Sequence, residues 1–463
     1  MTIHATPSAE FGLPFTPAPG MVDASTDELS AALVKAQVAV NRARLAQPAW
    51  KALGARRRAA IIENFRRLLY RAARVRRTRS QTMAAWRKTI ITHYEPSGVV
   101  AVVSPWNFPF FFPAMHVMTA LVAGNAVVRK PSDHSPRCGD ELVRLLHSAG
   151  VPEDVLILLQ GDGRTGAALV SASVDKVLFT GSDAAILLDD ANMGVTASGI
   201  LWNRFSNAGQ TCVAVKRVIA VGRAYDALLP LLKRGAESLT IDANTSDAAR
   251  SIDMGPMISA AQRTLIMEQL NDAIARGATV VARNEPRSPG DRMAPAVLLT
   301  NVTPAMRVWS EETFGPVLVI MRASSEAEAI ALANSTRYGL SGSVWSADRA
   351  RARRIALQLD TGTVVINDAV VSAGLPEIAH GGVKASGMGR IHGEDGLLEC
   401  VRTRVVVDDM LTGMRQAWWF GYGPESAARL DAYVRLSHGR SWSDRLSGIA
   451  GTIKMLLRPE KPL

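Results

Sequence analysis

The residues with the clearest chemical potential form one short loop, Asn207-Ala208-Gly209-Gln210-Thr211-Cys212. Small residues and glycine allow a loop to approach a reaction centre closely. A cysteine that follows such a loop can act as a thiolate nucleophile and form a covalent intermediate with a carbonyl carbon. A buried structural cysteine fits the same pattern, since free cysteine is among the most buried residue types. The loop alone leaves both interpretations of Cys212 open and favours the structural one.

A second glycine-rich stretch places Gly161, Gly163 and Gly166 in a Gly-x-Gly-x-x-Gly pattern after an apolar segment. In a standard dinucleotide-binding fold this pattern cradles a pyrophosphate at a helix N-terminus. Here it follows the third predicted strand of the region and not the first. We therefore interpret it as strand-to-helix packing, with a minor cofactor contact at Gly163 and Gly166.

These residues lie among alternating strands and helices. The first region has predicted strands at 99–104, 126–130, 155–159 and 176–179, with helices at 116–124, 138–149 and 164–171 between them. This spacing predicts an α/β fold with a parallel, doubly wound sheet, which binds ligands at the carboxyl ends of its strands. Residues 26–79 are predicted to be helical.

A second α/β region is predicted over about 213–390. Its strands are expected at 215–221, 317–321, 343–345 and 363–367, and its helices near 225–238, 259–276, 325–335 and 347–358. The apolar stretch at 99–128 is interrupted by Pro105, Pro109 and Pro113, so it is predicted to form strand, loop and helix and not a membrane span.

Composition bounds the class of protein. The chain has 463 residues, enough for two or three domains with substantial cores. Its three cysteines, Cys138, Cys212 and Cys400, are scattered, which favours a reducing compartment and predicts neither a disulfide framework nor a metal site. The N-terminus lacks the pattern of a signal peptide, so we expect a cytoplasmic protein.

The net charge of +11 is concentrated in two places. Residues 51–90 hold thirteen Lys and Arg against one acidic residue, and we favour a solvated helix there over a nucleic-acid-binding surface. Residues 413–463 hold eight Lys and Arg against four acids, with three tryptophans. That tail suits peripheral contact with a membrane surface, and packing on a partner subunit explains it equally well.

Several segments together resemble the aldehyde dehydrogenase superfamily, in that family's own order. They are Ser104-Pro105-Trp106-Asn107-Phe108-Pro109, Arg129-Lys130-Pro131-Ser132-Asp133, Phe179-Thr180-Gly181-Ser182, Asn207 to Cys212, Glu312-Thr313-Phe314-Gly315-Pro316, and Gly381 to Arg390. The resemblance covers roughly residues 25–410. The dipeptide His392-Gly393 is similar to the fatty- and aromatic-aldehyde branches, of the coniferyl type.

The resemblance implies a nucleophile and reverses the balance for Cys212. In such enzymes the cysteine attacks an aldehyde to give a thiohemiacetal, whose oxyanion would be held by the Asn107 amide and the Cys212 backbone N–H. Hydride transfer to NAD(P) leaves a thioester that water hydrolyses to the acid. The aromatic residues near Phe110, Phe111, Phe112 and Trp202 suggest a small apolar or aromatic aldehyde, although core packing explains them equally well.

The resemblance also implies a cofactor site and no metal. The residues expected to contact the cofactor are Trp106, Lys130, Asp133, Gly163, Gly166, Phe179, Ser182, Glu312 and Phe314. A carboxylate at Asp133 accepts hydrogen bonds from a ribose 2′-hydroxyl and repels a 2′-phosphate, so NAD is favoured over NADP. Against this preference, Asp133 is shorter than the glutamate common in the family, and Arg129 is adjacent.

The predicted domains follow from the same resemblance. We expect a cofactor-binding domain at 1–205, a catalytic domain at 206–390, a return and β oligomerisation strand at 391–412, and the basic aromatic tail at 413–463. Such enzymes are homo-oligomers.

The sequence departs from the family at two places. About twenty-five residues are missing after Ser182, including the helix, the strand and the Glu-Leu-Gly-Gly-Lys motif that carry the usual general base, and a second gap lies between about Ala72 and Tyr94. Ile391 stands where the family often has glutamate, and a structural role is favoured for His392 over a role as base. We therefore expect poor deacylation. The alternatives are an inactive homologue, an acyl-thioester reductase and a basic interaction protein.

Overall fold

The computed structural model describes residues 26–61, 76–79, 88–178, 183–243, 251–369, 371–387, 389–410, 424–438 and 441–456. Phe179, Ser182, the aromatic residues at 418–422 and much of the basic stretch at 51–90 lie outside these ranges. Within them the helices are α1 Thr26–Ala52, α2 Gly54–Ile61, α3 Phe111–Ala123, α4 Pro136–Ser148, α5 Gly163–Ser171, α6 Met193–Phe205, α7 Ala224–Ser238, α8 Ala260–Ala275, α9 Arg307–Ser310, α10 Glu326–Asn334, α11 Arg349–Ala356, α12 Gly393–Leu398, α13 Pro424–His438 and α14 Trp442–Leu456.

The strands of the same ranges are β1 Arg76–Arg79, β2 Lys88–Pro96, β3 Val99–Val103, β4 Ala126–Lys130, β5 Leu156–Leu158, β6 Lys176–Leu178, β7 Asp183–Leu187, β8 Val215–Val221, β9 Thr279–Asn284, β10 Ala296–Thr300, β11 Val317–Ala323, β12 Ser341–Trp345, β13 Thr363–Ile366 and β14 Val401–Asp409. The chain divides into two compact units, one formed by Met1–Leu69 with Pro96–Cys400 and the other by Tyr70–Glu95 with Val401–Leu463.

The first sheet of the larger unit has four parallel strands in the order β5-β4-β3-β6. Its centre is apolar and fully buried, because β3 and β4 carry almost continuous valine and alanine. Helix α1 covers one face, where Ala36, Val40 and Ala43 pack against the strands. The carboxyl ends of these parallel strands therefore share one edge.

The second sheet of this unit has seven strands in the order β13-β12-β7-β8-β11-β10-β9. All neighbours are parallel except β9, which is antiparallel to β10. The predicted α/β class with parallel sheets is confirmed. Strands β7, β9 and β10 had no predicted counterpart.

The position of β7 differs from the predicted domain boundary at residue 205. Strand β6 ends at Leu178, and β7 begins at Asp183 between β8 and β12 of the seven-stranded sheet. Its Ile186 and Leu187 are fully buried there, and both edges of its backbone are hydrogen-bonded. The chain thus passes to the second sheet about twenty residues before the predicted boundary.

The smaller unit contains a three-stranded sheet of order β1-β2-β14 and the helix pair α13 and α14. The helical prediction for 26–79 is wrong at Arg76–Arg79, because these residues pair with β2 from Thr89 to Thr92. Antiparallel pairing here outweighs the helix propensity of an arginine-rich segment. Across the described ranges no helix is both long and apolar enough to span a bilayer.

Candidate active site

The loop before Cys212 has an unusual backbone. Helix α6 runs into a 3₁₀ turn, Ser206–Gly209, in which Asn207, Ala208 and Gly209 all have left-handed conformations with φ of 51°, 53° and 72°. A Cβ atom on Gly209 would stand 2.4 Å from the Gly315 carbonyl oxygen. Only glycine fits this approach, which brings the cysteine loop against the loop at 312–316.

Side-chain amides hold the loop in this conformation. Asn203 on α6 donates to the Val213 carbonyl at 3.2 Å. Gln210 donates to the Asn207 carbonyl at 2.9 Å and accepts from the Ile258 backbone N–H at 2.8 Å. The left-handed backbone is therefore held by hydrogen bonds from its own helix α6 and from the neighbouring segment at Ile258.

Cys212 lies in an apolar cluster. Cys212 is 8% exposed and packs with Phe112, Val213, Leu340, Ala373 and Ile391. Phe108 and Phe314 are partly buried against this cluster. Burial raises the pKa of the Cys212 thiol to about 11, Lys216 acts to lower it and Glu312 to raise it. The resting group is thus a thiol in apolar surroundings, and the thiolate needs help from neighbouring charge.

Two charged side chains meet beside the cysteine. The Lys216 ammonium on β8 donates to the Cys212 carbonyl at 3.4 Å and lies 3.5 Å from the Glu312 Oε1 atom. Arg204, fully buried on α6, donates to the Thr313 carbonyl at 3.0 Å and to the Gly315 carbonyl. Burial lowers the pKa of Arg204 to about 9, and Glu312 acts in the opposite direction.

Asn107 and Trp106 reach the same place from the loop after β3. The Asn207 amide donates to the Asn107 carbonyl at 3.2 Å, which ties this loop to the cysteine loop. The Trp106 and Phe314 rings meet edge to face, with centroids 5.4 Å apart. The structure therefore brings together Cys212 with four of the predicted site residues: Asn107, Trp106, Glu312 and Phe314.

A second group of predicted residues lies at the carboxyl edge of the four-stranded sheet. Lys130 ends β4 and is buried; desolvation lowers the pKa of its ammonium, and Asp133 and Asp162 act to raise it. The Ser104 backbone N–H donates to the Lys130 carbonyl at 3.0 Å. The buried Oγ atom of Ser104 has no hydrogen-bond partner among the described residues, as expected where a polar ligand binds.

The glycine motif lies beside this edge. Asp162 caps the N-terminus of α5 by accepting from the Arg164 and Thr165 backbone N–H groups. Gly163 begins the helix, and a Cβ atom on Gly166 would lie 3.9 Å from the side chains of Lys130 and Val103. This contact fits helix-to-strand packing next to the cofactor edge.

The predicted apolar pocket divides into inner and outer residues. Phe112 is buried in the Cys212 cluster, whereas Phe110 and Phe111 are 42% and 44% exposed. Trp202 is 63% exposed and lines a separate groove with Val195 and Trp345. Phe112 therefore belongs to the cluster, and Phe111 packs edge to face on it with ring centroids 5.4 Å apart.

The His392 imidazole lines a small cavity beside Cys400. It is 2% exposed and shares a cavity of about 10 Å³ with His116, Arg390 and Cys400. Burial lowers its pKa to about 4. In the described part of the chain no group of three or more His, Cys, Asp or Glu residues could hold a metal ion.

Sequence reasoning missed Lys216, Arg204 and Asn203. A signal for Lys216 was present, because Lys216 and Arg217 interrupt an otherwise apolar strand that was predicted to be buried. A charged residue in such a strand requires a specific partner. Arg204 and Asn203 carried no comparable signal, since both fit the polar face of a helix.

Comparison with known proteins assigns the chain to a family. The aldehyde dehydrogenase family model matches residues 68–185 and 181–406, in two segments that meet where the missing segment is predicted. The chain belongs to the aldehyde dehydrogenase family. Some aldehyde dehydrogenase motifs, including Phe179 to Ser182, lie outside the described residues.

Curated relatives are about a third identical to this chain over the aligned residues. 4,4′-Diapolycopene aldehyde oxidase from Methylomonas sp is 34% identical over 397 residues, covering 80% of this chain and 73% of the relative. The NADP(+)-dependent succinate-semialdehyde dehydrogenase from Deinococcus radiodurans is 36% identical, covering 68% and 70%. Matched curated relatives are spanned over 65% to 73% of their length.

Solved structures of aldehyde dehydrogenases have the same fold. Lactaldehyde dehydrogenase from Escherichia coli superimposes with a TM-score of 0.72 at 25% identity, covering 81% of this chain and 91% of that one. Succinate-semialdehyde dehydrogenase from Burkholderia pseudomallei gives a TM-score of 0.71 at 26% identity, covering 81% and 90%. These likenesses do not distinguish between the branches of the family.

Proposed function

We propose that this chain oxidises an apolar aldehyde to a carboxylic acid, with Cys212 as the nucleophile. The observation that carries the proposal is the position of Cys212 in an aromatic cluster, after a left-handed loop that is hydrogen-bonded to the Asn107 loop. The rings packed around this thiol provide apolar surroundings for a substrate, with Lys216 and Glu312 as charged neighbours. Phe108, Phe112 and Phe314 favour an apolar or aromatic aldehyde over a charged one.

The first half of the reaction follows from these residues. The Cys212 thiolate forms a C–S bond with the aldehyde carbon, and the carbonyl π electrons move to the oxygen. The Asn107 amide and the Cys212 backbone N–H are proposed to hold that oxyanion, and donors of this kind lower a barrier by about 3–4 kcal/mol each. Collapse of the thiohemiacetal oxyanion then leaves a thioester on Cys212.

The residues at the sheet edge fit a nicotinamide cofactor, which when bound would accept the hydride that the aldehyde carbon loses. Lys130, Asp133, Ser182, Gly163 and Gly166 would hold its adenosine and pyrophosphate. Glu312, Phe314, Trp106 and Phe179 would contact the nicotinamide half. Curated relatives are named for NADP(+). We nevertheless propose a preference for NAD, because the Asp133 carboxylate beside Lys130 repels a 2′-phosphate.

Slow deacylation is the second part of the proposal. Hydrolysis of the thioester needs a base to activate water, and loss of a general base costs roughly 10²–10⁴ in rate. The motif that carries the usual base has no counterpart after Ser182. The one carboxylate found beside Cys212 in the described residues is Glu312, which is paired with Lys216.

A pre-steady-state assay tests both parts. Mixing the enzyme with a medium-chain aldehyde and NAD, or NADP in parallel, should give a burst of reduced nicotinamide close to one per active site, larger with NAD. Slow turnover should follow it. A full burst with fast steady turnover would overturn slow deacylation. No burst together with no cofactor binding by protein fluorescence would identify an inactive homologue, and turnover that requires coenzyme A a thioester reductase.

Two further proposals concern partners. Homo-oligomerisation through β14 is supported by Val405, Val406 and Val407, which are all exposed on this edge strand. On α14, Trp442, Leu446, Ile449 and Ile453 form an exposed apolar stripe. Peripheral contact with a membrane surface and packing on a second subunit are the two proposals for that stripe. A cytoplasmic location and the absence of nucleic-acid binding also remain proposals.

A further inference from the structure

Lys216 is a charged residue in a place that excludes water. It is the second residue of β8, whose apolar residues are almost completely buried, and its own side chain is 6% exposed. An ammonium group in such surroundings must be compensated by specific contacts. Packing alone does not explain it, because an apolar side chain of similar length would fill the strand position.

The described contacts of Lys216 connect it to the nucleophile. Its Nζ atom donates to the backbone carbonyl of Cys212 at 3.4 Å and lies 3.5 Å from the Glu312 Oε1 atom. The ammonium therefore bridges the residue that carries the thiol and a carboxylate of the facing loop.

The other charged and polar groups around Cys212 do not replace this cation. Glu312, which enters from the loop after α9, carries negative charge and disfavours a thiolate. Arg204 enters from α6, but its guanidinium is directed to the carbonyls of Thr313 and Gly315. The Asn107 loop contributes amide groups without charge. Lys216 is thus the cation whose contact with the Cys212 residue is observed.

We propose that Lys216 is a positioning residue for the nucleophile: its ammonium fixes the Cys212 backbone and supplies the positive charge that stabilises the thiolate. The inference rests on the proposed function, in which that thiolate attacks the aldehyde. When the thiol ionises, its proton passes to solvent and Lys216 keeps its own proton. Glu312 holds the ammonium in place, and its negative charge limits how much the ammonium stabilises the thiolate. The Lys216–Glu312 pair therefore sets how much of the thiol is ionised.

Alkylation of Cys212 by iodoacetamide tests this without aldehyde or cofactor. The rate is followed by mass spectrometry of the Cys212 peptide across neutral to alkaline pH. A nearby opposite charge shifts a thiol pKa by about one unit or more, and the greater nucleophilicity of the more basic thiolate offsets part of that change. We expect K216M to slow alkylation at fixed pH by about threefold to tenfold, and K216R to restore most of it.

A matched control is available at Cys400. Lys176 lowers the pKa of the Cys400 thiol as Lys216 lowers that of Cys212. K176M should leave the Cys212 rate unchanged, and K216M should leave the Cys400 peptide unchanged. Thermal unfolding checks that each variant is folded. If K216M does not fold, K216Q takes its place with the same expected direction.

The outcomes separate the two proposals. Alkylation of Cys212 in K216M at the wild-type rate, or in K216R as slowly as in K216M, would overturn the role of Lys216. The expected alkylation pattern in a chain that gives no burst with aldehyde would support thiol activation and contradict the proposed oxidation.

Discussion

Cys212 and Cys400 are both buried thiols in matched electrostatic surroundings. Burial raises the pKa of Cys212 to about 11 and that of Cys400 to about 12. Each has a lysine that acts to lower the pKa, Lys216 or Lys176, and a glutamate that raises it. Charge and burial alone therefore do not distinguish a candidate nucleophile from a structural cysteine.

Backbone geometry distinguishes them. Cys212 comes after a turn of three left-handed residues and lies among the aromatic rings of Phe108, Phe112 and Phe314. The Cys400 carbonyl accepts from the Ser97 backbone N–H at 3.2 Å and the Asn125 amide at 2.8 Å, and its own N–H donates to Leu397 at 3.0 Å. Cys400 thus joins chain segments, whereas Cys212 is presented by a loop.

The largest expected difference between the two regions is in activity. Cys212→Ser should abolish the burst of reduced nicotinamide and reduce turnover by roughly 10³-fold or more, because the alcohol is not ionised and the covalent route is lost. Cys400→Ser is the matched control and should keep turnover within about threefold of wild type. Equal losses in the two variants would mean that Cys212 has no special role.

Asn107→Ala should produce the next largest effect, a decrease in kcat of about 10²–10³, since removing one oxyanion donor costs about 2.7–4 kcal/mol. Steady-state kinetics with the aldehyde of the burst assay measures it. Asn192→Ala, which removes the N-cap of α6 that accepts from the Val195 N–H at 3.2 Å, serves as control. That variant should lose stability and keep kcat; a similar kcat loss in both would point to a structural role for Asn107.

The smallest effect distinguishes the Cys400 region by pH. Beside Cys400, His116 and His392 line the small cavity, and His380 stacks on His392; burial lowers the pKa of each to about 4. Between pH 6.5 and about 4 the unfolded chain therefore binds more protons than the folded one. The contribution of these neutral histidines to the free energy of unfolding is fully present above pH 6.5. It is lost as the pH falls through that window, by up to about 1.4 kcal/mol per pH unit for each histidine.

Urea unfolding at several pH values within that window measures the slope. His116→Gln should reduce it, because one buried neutral imidazole is removed. Thr119→Val, which alters the same cavity without a titratable group, should change the stability and not the slope. A slope that is the same in His116→Gln and wild type would contradict this account.

The sequence predicted the sheets better than their division. The boundaries of β8 and α7 followed from continuous apolar runs and turn residues, which are local signals. The placement of β7 did not follow from local signals, because β7 pairs with β8 on one side and β12 on the other, and both partners are more than thirty residues away. The helical prediction for Arg76–Arg79 failed although its partner strand β2 is near in sequence, because strand pairing is not visible in composition.

For the site, the sequence identified residues that meet in space but not the contacts that hold them. Cys212, Asn107, Glu312 and Phe314 were named from ordered motifs. The contact of Lys216 with Cys212 and the hydrogen bonds of Arg204 to Thr313 and Gly315 depend on which side of β8 and α6 faces the loops. Those facings are determined by tertiary packing, which no local spacing specifies.

The approach of Gly209 to Gly315 has a mechanical consequence. A side chain at 209 would overlap the Gly315 carbonyl, and one at 315 would overlap Ile266 at 2.6 Å. The Arg204 guanidinium donates a hydrogen bond to the same Gly315 carbonyl. The two loops are therefore in direct steric contact, so a displacement of residues 312–316 toward Gly209 would press on the backbone three residues before Cys212. A side chain at 209 would require the loop at 312–316 to shift, whereas one at 315 would require the Ile266 side chain on α8 to move, so the two glycines constrain different neighbours of the same contact.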